Sequence, residues 1–111
     1  MNTDILLDTG STFSVFKNPE MVLNIRDSPH KLKAYTNGGR HDSVQIMDLP
    51  GFFTVWFNPS SMINILAWSD VRGKYRITAD TLVGRYITVH LFPDRKMLFE
   101  EVESGLYLFR N

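Results

Sequence analysis

Apolar and polar positions along the chain fall into short blocks, and nearly every block has the length and spacing of a strand. Ile5-Leu6-Leu7 is a run of branched apolar residues that stops at Asp8, which predicts a buried strand ending on a carboxylate. Gly10 then lets the backbone turn. Phe13-Ser14-Val15-Phe16 alternates and predicts a short returning strand, broken by Asn18-Pro19. Glu20 to Ile25 fits one helical turn or a loop, and Ser28-Pro29 marks a further loop. Lys31 to Thr36 alternates again and runs into Asn37-Gly38, a pair suited to a type I′ hairpin turn because both central positions need positive φ. Gly39 adds freedom, and Arg40 to Met47 is the returning arm, with Val44 and Ile46 on one face.

Pro50-Gly51 predicts a type II turn, Pro fixing φ at the first central position and Gly accepting positive φ at the second. The aromatic and β-branched residues of Phe52 to Phe57 predict a strand buried on both faces. After a turn at Asn58 to Ser61, the apolar run from Met62 shifts toward helical spacing through Leu66, Ala67 and Val71, with Gly73 as its C-cap. Tyr75 to Ala79, Tyr86 to Phe92, Met97 to Val102 and Gly105 to Phe109 read as strands. No repeat, low-complexity tract or linker interrupts them. The expectation is one all-β domain over residues 1–111, with one or two short helical pieces.

Composition narrows what such a domain does. At 111 residues the chain holds one core and has no room for two lobes. Twelve basic residues balance 12 acidic ones, and no basic patch or basic amphipathic helix is visible, so neither nucleic acid nor a membrane surface is an expected partner. Lys31 and Lys33 read as a solvated strand face. The absence of Cys removes disulfide and thiolate chemistry and fits an intracellular setting. No apolar run approaches a membrane span and no signal peptide is visible; a key strand so close to Met1 predicts a piece of a longer protein. His30, His41 and His90 lack metal-ligand spacing, and no serine sits in a Gly-x-Ser-x-Gly elbow. Glu100, Glu101 and Glu103 read as a charged sheet edge, Trp56 and Trp68 as core or interface residues.

One motif carries chemistry. In many proteins Asp-Thr-Gly is only a turn in which Asp caps local backbone, but here an apolar triplet leads into Asp8-Thr9-Gly10-Ser11. That pattern resembles the signature of aspartic proteases, whose reaction needs a water held between two carboxylates that share one proton, one acting as base and the other as acid. A small hydroxyl at Thr9 could bond across to a partner loop, and Gly10 allows backbone close to the carboxylate. Asp27-Ser28, Asp42-Ser43 and Asp80-Thr81 do not repeat the pattern. With a single copy, the economical arrangement is a C2 homodimer in which Asp8 meets its symmetry mate.

The sequence resembles the retropepsin-type aspartic protease of copia-type (Pseudoviridae-like) LTR retrotransposons, encoded within a Gag-Pol polyprotein. Ile5 to Thr12 resembles the catalytic strand and loop, Tyr35-Thr36-Asn37-Gly38-Gly39 the flap hairpin, Asp48 to Phe57 the strand that follows, and Asn64-Ile65-Leu66-Ala67-Trp68-Ser69 the copia-type Asn-Leu-Leu-Ser segment. Gly105-Leu106-Tyr107-Leu108 resembles the start of the next polyprotein region, so 105–111 is expected to lie at the domain's end. Ala67 stands where retroviral members carry glycine. The resemblance implies a closed β-barrel with a short C-terminal helix, active as a homodimer; Asp8 as the catalytic carboxylate; Thr9, Gly10 and Ser11 in its loop; and Asn37, Gly38 and Gly39 closing over an extended peptide. It implies the polyprotein as substrate, no metal or organic cofactor, and a location in the cytoplasm or a virus-like particle. The alternative is a catalytically silent retropepsin-like dimerisation or peptide-binding domain.

Overall fold

The apolar blocks become strands because each pairs its backbone with a neighbour and turns one face inward. A computed structural model describes residues 3–36, 39–91, 94–103 and 105–110, and these form an all-β chain with ten strands in one sheet. The strands are β1 (Ile5–Asp8), β2 (Val15–Phe16), β3 (Leu23–Thr36), β4 (Gly39–Asp48), β5 (Thr54–Phe57), β6 (Asn64–Ala67), β7 (Arg76–Thr78), β8 (Tyr86–Leu91), β9 (Arg95–Glu103) and β10 (Leu106–Phe109). A 3-10 turn covers Pro19–Met21, with Asn18 capping it through the Glu20 N–H, and one helix, α1, covers Trp68–Arg72. No helix among the described residues is long and apolar enough to cross a membrane.

The sheet order is β3-β4-β5-β2-β6-β1-β10-β9-β8-β7. Its two ends, β3 and β7, are not paired with each other among the described residues, so the order is that of an open sheet where a closed barrel was expected. The helix is likewise not C-terminal: β7 to β10 follow it. β10 pairs antiparallel with β1, Leu7 facing Tyr107 and Ile5 facing Phe109. Residues 106–109 are therefore built into the sheet beside the Asp8 strand, although the family resemblance sets them at the edge of a following region.

β1 sits between β10 and the parallel strand β6, in register Ile5 to Asn64 through Asp8 to Ala67. Ile5 and Leu7 turn into the core, while Leu6 and Asp8, on the alternate face, are half-buried. The core joins Phe16, Met47, Val55, Leu66, Val71, Val89 and Phe99 in one cluster drawn from both halves of the sheet.

Several sequence expectations change in detail. β3 runs straight through Ser28-Pro29, where a loop was expected. The β3–β4 register shifts between Asp27 and Leu32, and β3 is an end strand, so Pro29 sits where no outer neighbour needs its missing N–H. Phe52 and Phe53 precede β5, whose Val55 is buried but whose Trp56 and Phe57 are only half-buried. The Pro50-Gly51 turn forms as expected: the Phe52 N–H donates to the Leu49 carbonyl at 2.9 Å and Gly51 has φ +82°. Gly73 is the α1 C-cap, with a right-handed φ of −75°. β9 lies between β10 and β8, so Glu100 and Glu101 belong to an interior strand, not an edge; Glu101 faces Arg85 at 3.6 Å.

Candidate active site

Asp8 is the last residue of a central strand, and the chain turns away immediately after it. Its half-buried carboxylate is held by its own loop: the Gly10 N–H donates to Oδ1 at 2.8 Å, and the Ser11 hydroxyl donates to Oδ2 at 2.5 Å. Each oxygen thus has one fixed donor, which sets the plane of the group. Thr9 and Gly10 are exposed, so the loop meets solvent while the strand beneath it is paired on both sides. Gly10 does not need positive φ, which among the described glycines belongs to Gly51 and Gly105. Its use is close approach: a Cβ there would stand 3.4 Å from Asp8 Oδ1.

Around β1 lie buried polar groups that the sequence pattern did not single out, Ser14 near its Asp8 end and Asn64 beside Ile5 at the other. Ser14, 2% exposed, donates its hydroxyl to Asp70 Oδ2 at 2.8 Å and accepts the Ala67 N–H at 2.9 Å. Its carbonyl accepts the Trp56 N–H at 3.0 Å. Asn64, fully buried at the start of β6, accepts the Lys17 and Asn18 N–H groups through Oδ1 at 2.9 and 3.3 Å and donates through Nδ2 to the Asp4 carbonyl at 3.0 Å. Both residues interrupt apolar runs, which is the available signal for a buried polar side chain; alternation alone set Ser14 opposite Phe13 and Val15 and did not reveal its burial. The Ser69 hydroxyl reaches the Ser11 carbonyl at 3.5 Å, a second tie between α1 and the Asp8 loop.

The residues expected at a flap lie on the β3–β4 hairpin. Asn37 and Gly38 fall outside the described residues. Gly39 opens β4 opposite Thr36. The hairpin's base is pinned where Asp48 accepts Asn24 Nδ2 at 3.1 Å, an Arg26 guanidinium N–H at 3.2 Å and the Thr54 hydroxyl at 3.2 Å. The hydrogen bond from Asn24, then that from Arg26, holds the Asp48 carboxyl below its ordinary value. Asn24 adopts φ +58°, a left-handed conformation that Asn tolerates and that marks the register shift between Leu23 and Arg26.

The remaining titratable candidates stay apart from Asp8. Lys31 is exposed and pairs with Asp42 at 3.0 Å, and the His90 ring shares a 2.8 Å hydrogen bond with Thr78. Among the described residues no group of three or more His, Asp or Glu is gathered as metal ligands. No family model, curated protein or solved structure matches the chain.

Proposed function

We propose that the chain is a retropepsin-like aspartic endopeptidase of the copia type, which cleaves its own Gag-Pol polyprotein as a C2 homodimer. The observation that carries the reading is Asp8 itself: a half-buried carboxylate at the end of a central strand, oriented through both oxygens, in an Asp-Thr-Gly-Ser loop whose Thr9 and Gly10 are exposed. An exposed loop of this kind can meet its own copy across a two-fold axis. There the two Asp8 groups share one proton. One takes a proton from the bridging water as it attacks the scissile carbonyl, and the other donates to the carbonyl oxygen. Thr9 braces the partner loop, and the β3–β4 hairpin tip with Asn37, Gly38 and Gly39 covers an extended peptide. The reading needs no metal or organic cofactor and sets the domain inside the cell, where the polyprotein assembles.

One observation favours the alternative of a silent dimerisation or peptide-binding module. The contacts of Asp8 to Gly10 and Ser11 are also those of an Asp that merely caps its own turn. Asp8→Asn separates the two readings. With a flanking polyprotein segment at mildly acidic pH, cleavage by the wild type is expected, with inhibition by a pepsin-type transition-state analogue. The Asp8→Asn chain is expected to lose cleavage while sedimenting as a dimer. A wild type that dimerises but does not cleave would establish the silent module instead.

A further inference from the structure

In an ordinary capping box the side chain at the third helical position reaches back to the N-cap N–H. The start of α1 carries a version of this motif with a third party inserted. Ala67 is the N-cap residue and has no side-chain cap of its own, and Asp70 occupies the third helical position. The Ala67 N–H donates not to Asp70 but to Ser14 Oγ at 2.9 Å, and that hydroxyl donates onward to Asp70 Oδ2 at 2.8 Å. Ser14 precedes β2, and β2 pairs with β6 through the single position Val15 to Ile65. Its hydroxyl therefore replaces the backbone acceptor that β6 loses where β2 diverges.

The other side of Ala67 faces β1, where its register partner is Asp8. Ala67 is fully buried, so its backbone cannot shift without moving the strand end beside it. We infer that Ser14 and Asp70 are positioning residues for Asp8: the Asp70–Ser14–Ala67 chain fixes β6 at its last rung, and β6 fixes the strand end that carries the carboxylate. This rests on the endopeptidase reading for its catalytic consequence but not for its geometric one. Two carboxylates that must share a water across a two-fold axis tolerate little displacement, since a shift of about 1 Å can cost about 100-fold in rate.

The test uses the full chain and three variants. Ser14→Ala and Asp70→Ala break the chain of hydrogen bonds, whereas Asp70→Asn keeps an oxygen that accepts from Ser14. Two readouts are taken: hydrogen exchange at the Ala67 amide, and kcat and KM on the flanking polyprotein segment. Exchange at Ala67 is expected to rise at least about 10-fold in both alanine variants. Their kcat is expected to fall roughly 10- to 100-fold with KM little changed, and Asp70→Asn is expected to recover most of both. If Ser14→Ala does not fold, the Asp70 pair decides the matter alone. Wild-type exchange at Ala67 in Asp70→Ala, or equal loss in Asp70→Asn and Asp70→Ala, overturns the inference. A wild type that never cleaves counts against the endopeptidase reading only, because Ala67 exchange still reports the positioning.

Discussion

The centre of the sheet and the β3–β4 hairpin are both built of paired strands and are held in different ways. At the centre, β1, β6 and β2 are short, and buried polar side chains tie them sideways: Asn64 and Ser14 each bond to two or more other segments. The hairpin is long, 14 and 10 residues, and its base is fastened by an exposed cluster around Asp48. Buried hydrogen bonds are costly to break because the groups left behind are desolvated. Exposed ones are exchanged for water at little cost. The Asp8 end of the sheet is thus tied sideways by buried hydrogen bonds, whereas the outer strand β3 is fastened at its base by exposed ones, with β4 anchored by its pairing to β5 and by the buried Met47.

Substitutions can break this contrast or sharpen it. The largest effect is expected from Phe16→Ala, which empties a fully buried site in β2 and should cost about 3–5 kcal/mol in denaturant unfolding, with loss of the whole fold. Asn64→Ala should follow at about 2–3 kcal/mol, since it strands the Lys17 and Asn18 N–H groups. Gly51→Ala should cost about 1–2 kcal/mol through backbone conformation alone: φ is +82° and nothing lies within 4 Å of the added Cβ. On the hairpin, Val44→Thr, half-exposed on β4, should change global stability by no more than about 0.5 kcal/mol. A substitution at an exposed position of the hairpin as damaging as Asn64→Ala would erase the distinction between the buried ties and the exposed ones.

The smallest effect is a pH dependence confined to the hairpin. The folded Asp48 carboxyl is held below its ordinary value, so its contribution is fully present above 3.8 and is lost as pH falls through the lower folded value. Amide exchange around Leu23 to Asp27, after correction for intrinsic rates, should therefore be unchanged down to about pH 4 and quicken below it. Asp48→Asn should remove that dependence while leaving exchange in β1 and β6 untouched.

How much of this was legible in the sequence follows from which forces are local. The Asp8 motif, the Pro50-Gly51 turn and the strand expected from Tyr86 to Phe92, described as β8 over Tyr86–Leu91, are written in neighbouring residues and read directly. β3 was not, because a bulged end strand tolerates Ser28-Pro29, and what makes it an end strand is the order of the other nine. Ser14 and Asn64 were missed for a related reason: a polar residue inside an apolar run declares that it has a partner but not which one, and their partners lie up to 60 positions away. The sheet order, with β10 against β1, is set by the same long-range pairing. Of the site, the carboxylate and its loop were visible; the supports beneath them were not.

The central claim is that Asp8 is half of an active site, and mixed dimers test it most directly. Wild-type chain, held at constant amount, is refolded with increasing Asp8→Asn chain, and cleavage of the flanking polyprotein segment is followed. If one Asp8 from each copy is required, every mixed dimer is inactive, and activity per wild-type chain falls in proportion to the wild-type fraction, to about half at an equal mixture. Activity per wild-type chain that stays constant as the variant is added, with mixed dimers demonstrably formed, would contradict the account.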